Sequence, residues 1–505
     1  MITQKNHPLR TDILFISMPS RSNSVLPPLG FIVLSGFLDK HTEFSSAIFE
    51  KKISSILEVT SARKSEIEKD ILAQIQEQNP RFIGFSLFPG DLNDFLSLAR
   101  QIKVRFPEIK VIVGGVLPTI DTGSLLFDES PVDFLVRGDG EGPLSHLLAG
   151  GVLTEVPGLA WMEGGKLCDT GIATYAMELD YIPSYHKIDM AYYCQVSTEI
   201  IRPYYTKGIF VFSAVGCPHR CSFCFNPKTK LKYKDLDVFI EELRLLKETY
   251  GINSFFILDE CFLANKERVV RFCARYKESG IDMPWAMQTR SNLLKEENIG
   301  MLKDSGCVHI SFGVETGSPR LLKAITKGLT VDDNLAAFNL CRKHGIKTFA
   351  NMLYNLPGET AEDIELSRQF LEKARPNHVA LSLTVPLLGT QIYNEFVKPP
   401  LEREEYEIFG SNEPYTRIVD KRFRLAAHDL ALNKILARES IKYYLKTSFG
   451  LLSMDQWYVQ GVLRRMPLPE LARAISKKIF KQVRSYFRAV LQLSSSLFAD
   501  KNKRC

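Results

Sequence analysis

The sequence predicts an α/β protein in three parts. These are a doubly wound parallel sheet over residues 1–150, a partial (β/α)6 barrel over 208–395, and a helical region over 396–505, with 151–207 as a linker. Three observations predict it. Short apolar runs alternate with amphipathic helical patterns from Ile13 to Val385, as in parallel sheets covered by helices. Three of the ten cysteines, Cys217, Cys221 and Cys224, fall within eight positions directly after one such run. Beyond Leu401 the strand signals stop.

At roughly 150 residues per domain, 505 residues favour two to four domains. An apolar share of 45% and a charged share of 24% exclude a disordered chain, a collagen-like chain and a small disulfide scaffold. The start, MITQKNHPLR, lacks the apolar core of a secretory signal, and no apolar run reaches the ~18–20 residues that cross a bilayer. A cytoplasmic location is expected. The net charge of +6 is uneven, since residues 461–505 carry eleven Lys/Arg against two acids. The rest of the chain is therefore slightly acidic.

In the first part, Ile13–Ser17, Phe82–Leu87, Val111–Val113 and Asp133–Val136 read as buried strands. Gly30–Lys40, Ser54–Gln78, Leu92–Phe106 and Glu141–Ala149 read as the helices between them. Such sheets take ligands at the carboxyl ends of their strands. Gly114-Gly115 follows a strand directly, where missing side chains let a ligand approach the backbone, although a simple turn explains the pair equally well.

Pro27-Pro28-Leu29-Gly30, Gly84–Leu87 (GFSL), Gly114–Pro118 (GGVLP) and Arg137–Glu141 (RGDGE) occur in that order. The set resembles the flavodoxin-like cobalamin-binding domain fused to many radical S-adenosylmethionine (SAM) enzymes, over about Ile13 to Leu148. The resemblance implies cobalamin held by the loops after the strands, through Ser86, Gly114, Gly115, Gly138 and Glu141. One departure stands out. The Asp-x-His-x-x-Gly motif that supplies a cobalt-ligating histidine elsewhere is absent, and the first strand is followed by SMPSRSNSVLPPLG. Cobalamin here would lack that lower ligand, as is common in the radical branch. His41 and His146 lie in helical patterns and read as surface or packing residues. In the linker, Val156–Trp161 and Gly164-Gly165 suggest a small hairpin and Leu179–Pro183 an extended crossing, while Cys168 and Cys194 read as ordinary buried thiols.

The strand Ile209–Val215 runs straight into Gly-Cys-Pro-His-Arg-Cys-Ser-Phe-Cys, ending at Cys224. Clustered thiols in a reducing compartment read as metal ligands before disulfides. The spacing Cys-x3-Cys-x2-Cys lets one loop place three thiolates on an iron–sulfur cube. Four thiolates would saturate a [4Fe–4S] cluster, whereas Cys217, Cys221 and Cys224 leave one iron open. An open iron can chelate the amino and carboxylate groups of SAM, and an electron from the cluster then releases a 5′-deoxyadenosyl radical. The competing reading is structural zinc, which wants four Cys/His ligands, usually from two separated pairs. His219 is the only nearby fourth ligand, and it sits inside the x3 gap.

Alternation resumes after the loop, with helix Val238–Tyr250, strand Phe255–Asp259, helix Lys266–Glu278 and strand Trp285–Thr289. Helix Leu294–Asp304, strand His309–Val314, helical residues through His344, strand Thr348–Leu356, helix Ala361–Lys373 and strand His378–Val385 follow. Functional residues of such barrels sit at strand C-termini. Asp259 and Glu260 are carboxylates suited to the SAM ammonium, and Arg290 is placed to pair with a carboxylate. The resemblance to cobalamin-dependent radical SAM enzymes then extends over about residues 13–390. It implies that Phe223 abuts the adenine and Asp259-Glu260 form the second-strand acidic motif. It also implies that Glu315 hydrogen-bonds the ribose hydroxyls and that the Asn355–Glu359 segment (NLPGE) lies near the adenine. Pro386–Thr390 (PLLGT) follows the sixth strand. Cys261, Cys273, Cys307 and Cys341 lack ligand spacing and read as core.

The resemblance implies methyl transfer to an unactivated carbon first, and ring closure, rearrangement or oxidation second. A third reading keeps the radical chemistry with a front domain that has lost cobalamin. A fourth, of a different class, is a sensor that only binds cobalamin or a cluster, disfavoured because a sensor needs neither Glu315 nor Arg290. A methylthiotransferase would need clustered cysteines in the first domain, and none precedes Cys168. A reducing partner such as flavodoxin or ferredoxin is implied. In the tail, Arg473, Lys477, Lys481, Arg484 and Arg488 line a helix face beside an apolar stripe from Leu471 to Leu491. A basic amphipathic helix suits an anionic membrane surface, which points to peripheral membrane contact and a lipid-like or polycyclic substrate. Sparse aromatic interleaving argues against nucleic acid.

Overall fold

The computed structural model describes residues 11–18, 27–50, 61–174, 179–194, 207–225, 230–410, 418–428 and 435. The chain divides into two units. One comprises residues 1–196, 212–250 and 385–424, the other 197–211, 251–384 and 425–505.

The first unit is built on seven strands: β1 (Ile13–Ile16), β2 (Ser46–Phe49), β3 (Phe82–Ser86), β4 (Lys110–Gly114), β5 (Phe134–Val136), β6 (Leu159–Glu163) and β7 (Lys166–Asp169). Their order is β2-β1-β3-β4-β5-β6-β7. The first five are parallel, in the flavodoxin-like order, and the switch point lies between β1 and β3. Helices α1 (Leu29–His41), α2 (Ser61–Gln78), α3 (Leu92–Arg105), α4 (Val116–Ile120) and α5 (Glu141–Leu148) follow the strands. Strand pleating explains the double winding. Leu14 and Ile16 pack with Ile67, Ile71 and Ile75 of α2 and with α3, whereas Ile13 and Phe15 pack with Phe31 and Leu38 of α1 and with α5.

Two features differ from the expectation. The sheet does not stop at residue 150, because the segment expected as linker returns as the antiparallel hairpin β6–β7 along β5. Its turn is Gly164-Gly165 with φ of +57° and +76°, the backbone a tight two-residue hairpin needs. Strand β2 had no visible signal, since its four residues SAIF are half-buried throughout and show no alternation.

The single expected strand Ile209–Val215 splits. Gly208–Val211 (β8) belongs to the second unit, and Ala214–Val215 pairs antiparallel with Lys232–Tyr233 in the first. Helix α6 (Leu236–Tyr250) follows, carrying a buried polar cluster. Lys234 Nζ donates to Glu242 Oε2 at 2.5 Å, and Tyr185 Oη donates to Glu242 Oε1 at 2.6 Å. From Pro399 to residue 428 the described residues of the expected helical region form the 3-10 turns Arg403–Phe409 and Lys421–Phe423, and Ile435 beyond them is helical. Pro399, Pro400 and Gly410 break any longer helix there. Tyr406 and Phe423 of these turns join the core under α3. The basic tail over 461–505 lies outside the described residues.

The second unit is a six-stranded, wholly parallel sheet in the order of the chain: β8, β9 (Ser254–Ile257), β10 (Trp285–Thr289), β11 (Cys307–Glu315), β12 (Lys347–Tyr354) and β13 (His378–Leu383). Strands β8 and β13 remain edges, so the sheet is a half-barrel. Helices α7 (Lys266–Glu278) and α8 (Glu296–Asp304) follow β9 and β10, α9 (Pro319–Ala324) and α10 (Val331–Lys343) both follow β11, and α11 (Ala361–Ala374) follows β12. Phe255, Phe262, Phe272 and Trp285 form an aromatic cluster on the outer face, and Phe312 meets Phe338 of α10. The inner face carries Phe210, Phe256 and Ala286 on one side and His309, Phe349 and His378 on the other. No described helix is long and apolar enough to cross a membrane.

Candidate active site

Within the second unit, the strand ends hold the residues expected to bind SAM. Asp259, just beyond β9, is buried, while Glu260 is exposed. Arg290 follows β10 and is buried, and its Nη2 donates to the backbone carbonyl of Lys327. The structure gives Arg290 a backbone partner, a role different from the carboxylate pairing expected from the sequence. Glu315 ends β11 with φ of +67°, and Asn355 follows β12 with φ of +62°. Non-glycine residues rarely adopt this conformation, which costs of order 1–3 kcal/mol and collects at functional sites.

Glu315 Oε1 accepts from Lys327 Nζ at 2.6 Å in a buried ion pair. Asn355 is turned toward the protein. Its Nδ2 donates to the Thr384 carbonyl at 3.1 Å, and its Oδ1 accepts from the amides of Leu425 and Ala426 at 2.9 and 3.2 Å. The expected ligand contact at Asn355 is therefore better described as a clamp on the loop that follows β12. That loop ends at Glu359, whose Oε2 accepts from the Asn355 amide at 2.9 Å and lies 3.4 Å from His428 Nε2. Burial pushes the Glu359 carboxyl up to about 8, with Asp363 adding to the rise and backbone donors and Arg320 opposing it. Cys261 is buried with its Sγ 3.9 Å from Thr289 Oγ1, as a core thiol should be.

In the first unit, Gly216 (φ +99°) turns the chain into the cysteine loop. Cys221 is buried, and Cys217 and Cys224 are half-buried. The Cys224 amide closes a turn onto the Cys221 carbonyl at 3.0 Å, and the Ser222 carbonyl accepts from Ile392 N at 3.2 Å. Phe223 is half-buried beside them. None of the nine described cysteines is in a disulfide. Among the described residues, no three His, Cys, Asp or Glu side chains converge on one ion position. A cubane takes one thiolate per iron, so three cysteines spread along one loop suit it without converging.

The sheet of the first unit offers a ligand face at the ends of β3 and β4. Ser86 is exposed at the end of β3. Gly115 has φ of +93°, and a Cβ there would lie 2.7 Å from Ser86 Oγ, so only glycine lets the two loops meet. A Cβ on Gly114 would meet nothing closer than 3.8 Å, so packing does not demand glycine there. Gly138 and Glu141 are engaged differently. A Cβ on Gly138 would strike the Ala173 carbonyl at 2.3 Å, and Glu141 Oε1 accepts from Tyr181 Oη at 2.8 Å. Phe88, 60% exposed just after β3, is an aromatic that the motif reading passed over. Lys327 was also missed, because it lies twelve residues beyond Glu315 with no periodic relation to it. Gly313, which makes room for that pair, was the available hint.

Residues 20–148 match the B12 binding domain, and residues 211–371 match the Radical SAM superfamily. The chain belongs with the radical SAM enzymes that carry a B12-binding domain. Its cofactors are accordingly a [4Fe–4S] cluster, SAM and cobalamin. An uncharacterised methyltransferase of Pyrococcus horikoshii is 28% identical over 334 residues, 64% of this chain and 71% of that protein. The anaerobic magnesium-protoporphyrin IX monomethyl ester cyclase of Cereibacter sphaeroides is 26% identical over 317 residues, 60% of this chain and 50% of that protein. Among solved structures, the radical SAM methyltransferase TsrM of Kitasatospora setae, with cobalamin and a [4Fe–4S] cluster bound, has a TM-score of 0.60 at 17% identity. That alignment covers 77% of this chain and 75% of TsrM, a likeness of fold.

Proposed function

We propose that this enzyme is a cobalamin-dependent radical SAM C-methyltransferase acting on an unactivated carbon of a small molecule. The observation that carries the reading is the pairing, in one chain, of a B12-binding domain with a radical SAM domain opened by Cys-x3-Cys-x2-Cys. When bound, the cluster and SAM supply a hydrogen-abstracting 5′-deoxyadenosyl radical, and cobalamin supplies a methyl carrier.

The chain's own residues bind and orient. Cys217, Cys221 and Cys224 would hold the cluster through three thiolates, which leaves it able to take the amino and carboxylate groups of SAM. By the family resemblance, Phe223 of the first unit would face the adenine, and in the second unit Asp259 and Glu260 would accept from the SAM ammonium and Glu315 from the ribose hydroxyls. Arg290 braces the Lys327 loop, and Asn355 holds the loop that passes the adenine. Ser86, Gly114 and Gly115 form the face that takes cobalamin, with Gly138 and Glu141 keeping the adjoining loop in place. Glu315 supports this assignment most strongly, since it occupies strained backbone at the end of β11.

A polycyclic substrate is favoured by the likeness to a protein named as a magnesium-protoporphyrin IX monomethyl ester cyclase. The same likeness supports radical ring closure as the second reading. A flavodoxin or ferredoxin would supply the electron. The products separate the readings. Protein purified anaerobically with cobalamin, reconstituted with iron and sulfide, and given SAM and reductant is assayed for S-adenosylhomocysteine and 5′-deoxyadenosine together. With a polycyclic methyl acceptor supplied, methylation predicts both products, whereas consumption of that acceptor with 5′-deoxyadenosine alone replaces methylation with cyclisation or oxidation.

A further inference from the structure

Lys327 is fastened at both of its ends. Its Nζ donates to Glu315 Oε1 at 2.6 Å, and its backbone carbonyl accepts from Arg290 Nη2. Lys327, Glu315 and Arg290 are all buried. A buried ion pair is a poor route to stability, because desolvating both ions consumes most of the Coulomb gain. This pair is nonetheless maintained by several unfavourable backbone features. Glu315 has φ of +67°, and Thr326, directly before Lys327, has φ of +53°, a strained state for a β-branched residue. Glycine at 313 leaves room for the pair, since a Cβ would lie 2.5 Å from Glu315 Oε1 and 2.9 Å from Lys327 Nζ and displace both side-chain ends. Strained residues, a glycine and a bracing arginine converge on one carboxylate at the end of β11.

We propose that Lys327 is a positioning residue for SAM, fixing one oxygen of Glu315 so that the carboxylate meets the ribose hydroxyls in a single orientation. This rests on the reading of Glu315 as a SAM-binding residue. A lone carboxylate would lose rotamer freedom on binding, whereas one already held by Lys327 has lost it on folding. Arg290 contributes by fixing the Lys327 backbone.

The test is SAM affinity by equilibrium dialysis on the anaerobic, cluster-reconstituted full chain without reductant, so that no turnover enters the measurement. Wild type is compared with Glu315→Gln, Lys327→Met and the double variant. Loss of one charge-assisted contact predicts about a tenfold rise in Kd for each single variant. Because Lys327 acts through Glu315, adding Lys327→Met to Glu315→Gln should change Kd by less than about twofold. Additive effects overturn the proposal, as does an unchanged Kd in Lys327→Met when Glu315→Gln is weakened. An unchanged Kd in Glu315→Gln instead removes the underlying reading of Glu315. Gly313→Ala displaces the pair while keeping both charges, and should also weaken SAM about tenfold by the same loss. If Lys327→Met does not fold, Gly313→Ala decides alone, and wild-type affinity in it refutes the proposal.

Discussion

Replacing Lys234 by Met should destabilise the first unit and loosen the base of the cysteine loop. Lys234 is 1% exposed and Glu242 is 0% exposed, with Nζ 2.5 Å from Oε2. The ammonium also lies 4.2 Å from the Phe212 ring centroid. Removing one partner of a buried pair costs about 3–5 kcal/mol, because the other charge stays buried without compensation. Tyr185 Oη still donates to Glu242 at 2.6 Å, which places the expected loss toward the lower end of that range. For a unit of this size each kcal/mol moves the melting midpoint by roughly 2–4 °C, so a fall of about 6–12 °C is expected. The consequence for function follows from chain order. The Lys234 amide donates to the Ser213 carbonyl at 2.9 Å, and Ala214–Val215 pairs with Lys232–Tyr233, closing the loop that bears the three cysteines. Iron content after reconstitution should therefore fall with the melting midpoint. Scanning calorimetry and iron analysis of Lys234→Met, Glu242→Leu and the double variant provide the assay. The double variant should recover part of the lost stability, since it removes the unpaired carboxylate but leaves the buried Tyr185 Oη without its acceptor. A Lys234→Met protein that melts within 1–2 °C of wild type, or strictly additive losses in the double variant, would refute the reasoning.

Glu359 titrates in the fold at about 8 against 4.5 for an ordinary glutamate. The unfolded chain therefore releases that proton first, and stability should fall as pH rises from 4.5 to 8 and level off above it. Glu359→Gln should flatten that slope in urea unfolding followed across pH, with Asp363, Arg320 and His428 left in place. His309 behaves in the opposite sense. Burial holds it neutral down to about 3, with His378 lowering it further, and both its ring nitrogens lack a hydrogen-bond partner. Stability should fall as pH drops from 6.5 toward 3, and His309→Phe should lose that acid sensitivity in the same titration. Cys261→Ser, near the strand ends yet buried, should leave reconstituted iron content and SAM affinity at wild-type values.

Much of this was legible from local physics. Helix α7 was bounded correctly at Lys266 and Glu278, because Asn265 caps its first turn through Arg268 N at 3.0 Å and Gly280 follows its end. The half-barrel strands were visible as apolar runs because parallel strands are buried on both faces. Strand β2 was invisible for the converse reason: a short edge strand, half-buried throughout, has no pattern to read. The split of Ile209–Val215 was equally hidden, since the run IFVFSAV is apolar across the point where the backbone changes partners. The cysteine loop announced itself by spacing. The positive φ values of Glu315 and Asn355 and the Glu315–Lys327 pair could not, because backbone strain and a contact across twelve residues leave no periodic trace. Gly138 shows the limit of motif reading. It matched a ligand loop, and its structural reason for being glycine is the Ala173 carbonyl.

The central claim is that the cysteine loop supports reductive cleavage of SAM in an enzyme that also uses cobalamin. The most direct measurement is 5′-deoxyadenosine formed from SAM under anaerobic reducing conditions, by wild type and by Cys221→Ala, with iron content determined on the same samples. Wild type with a full cluster should form 5′-deoxyadenosine only when reductant is present, and Cys221→Ala should form none. Equal formation by the two proteins, or none from wild type carrying a full cluster and supplied with reductant, would contradict the account.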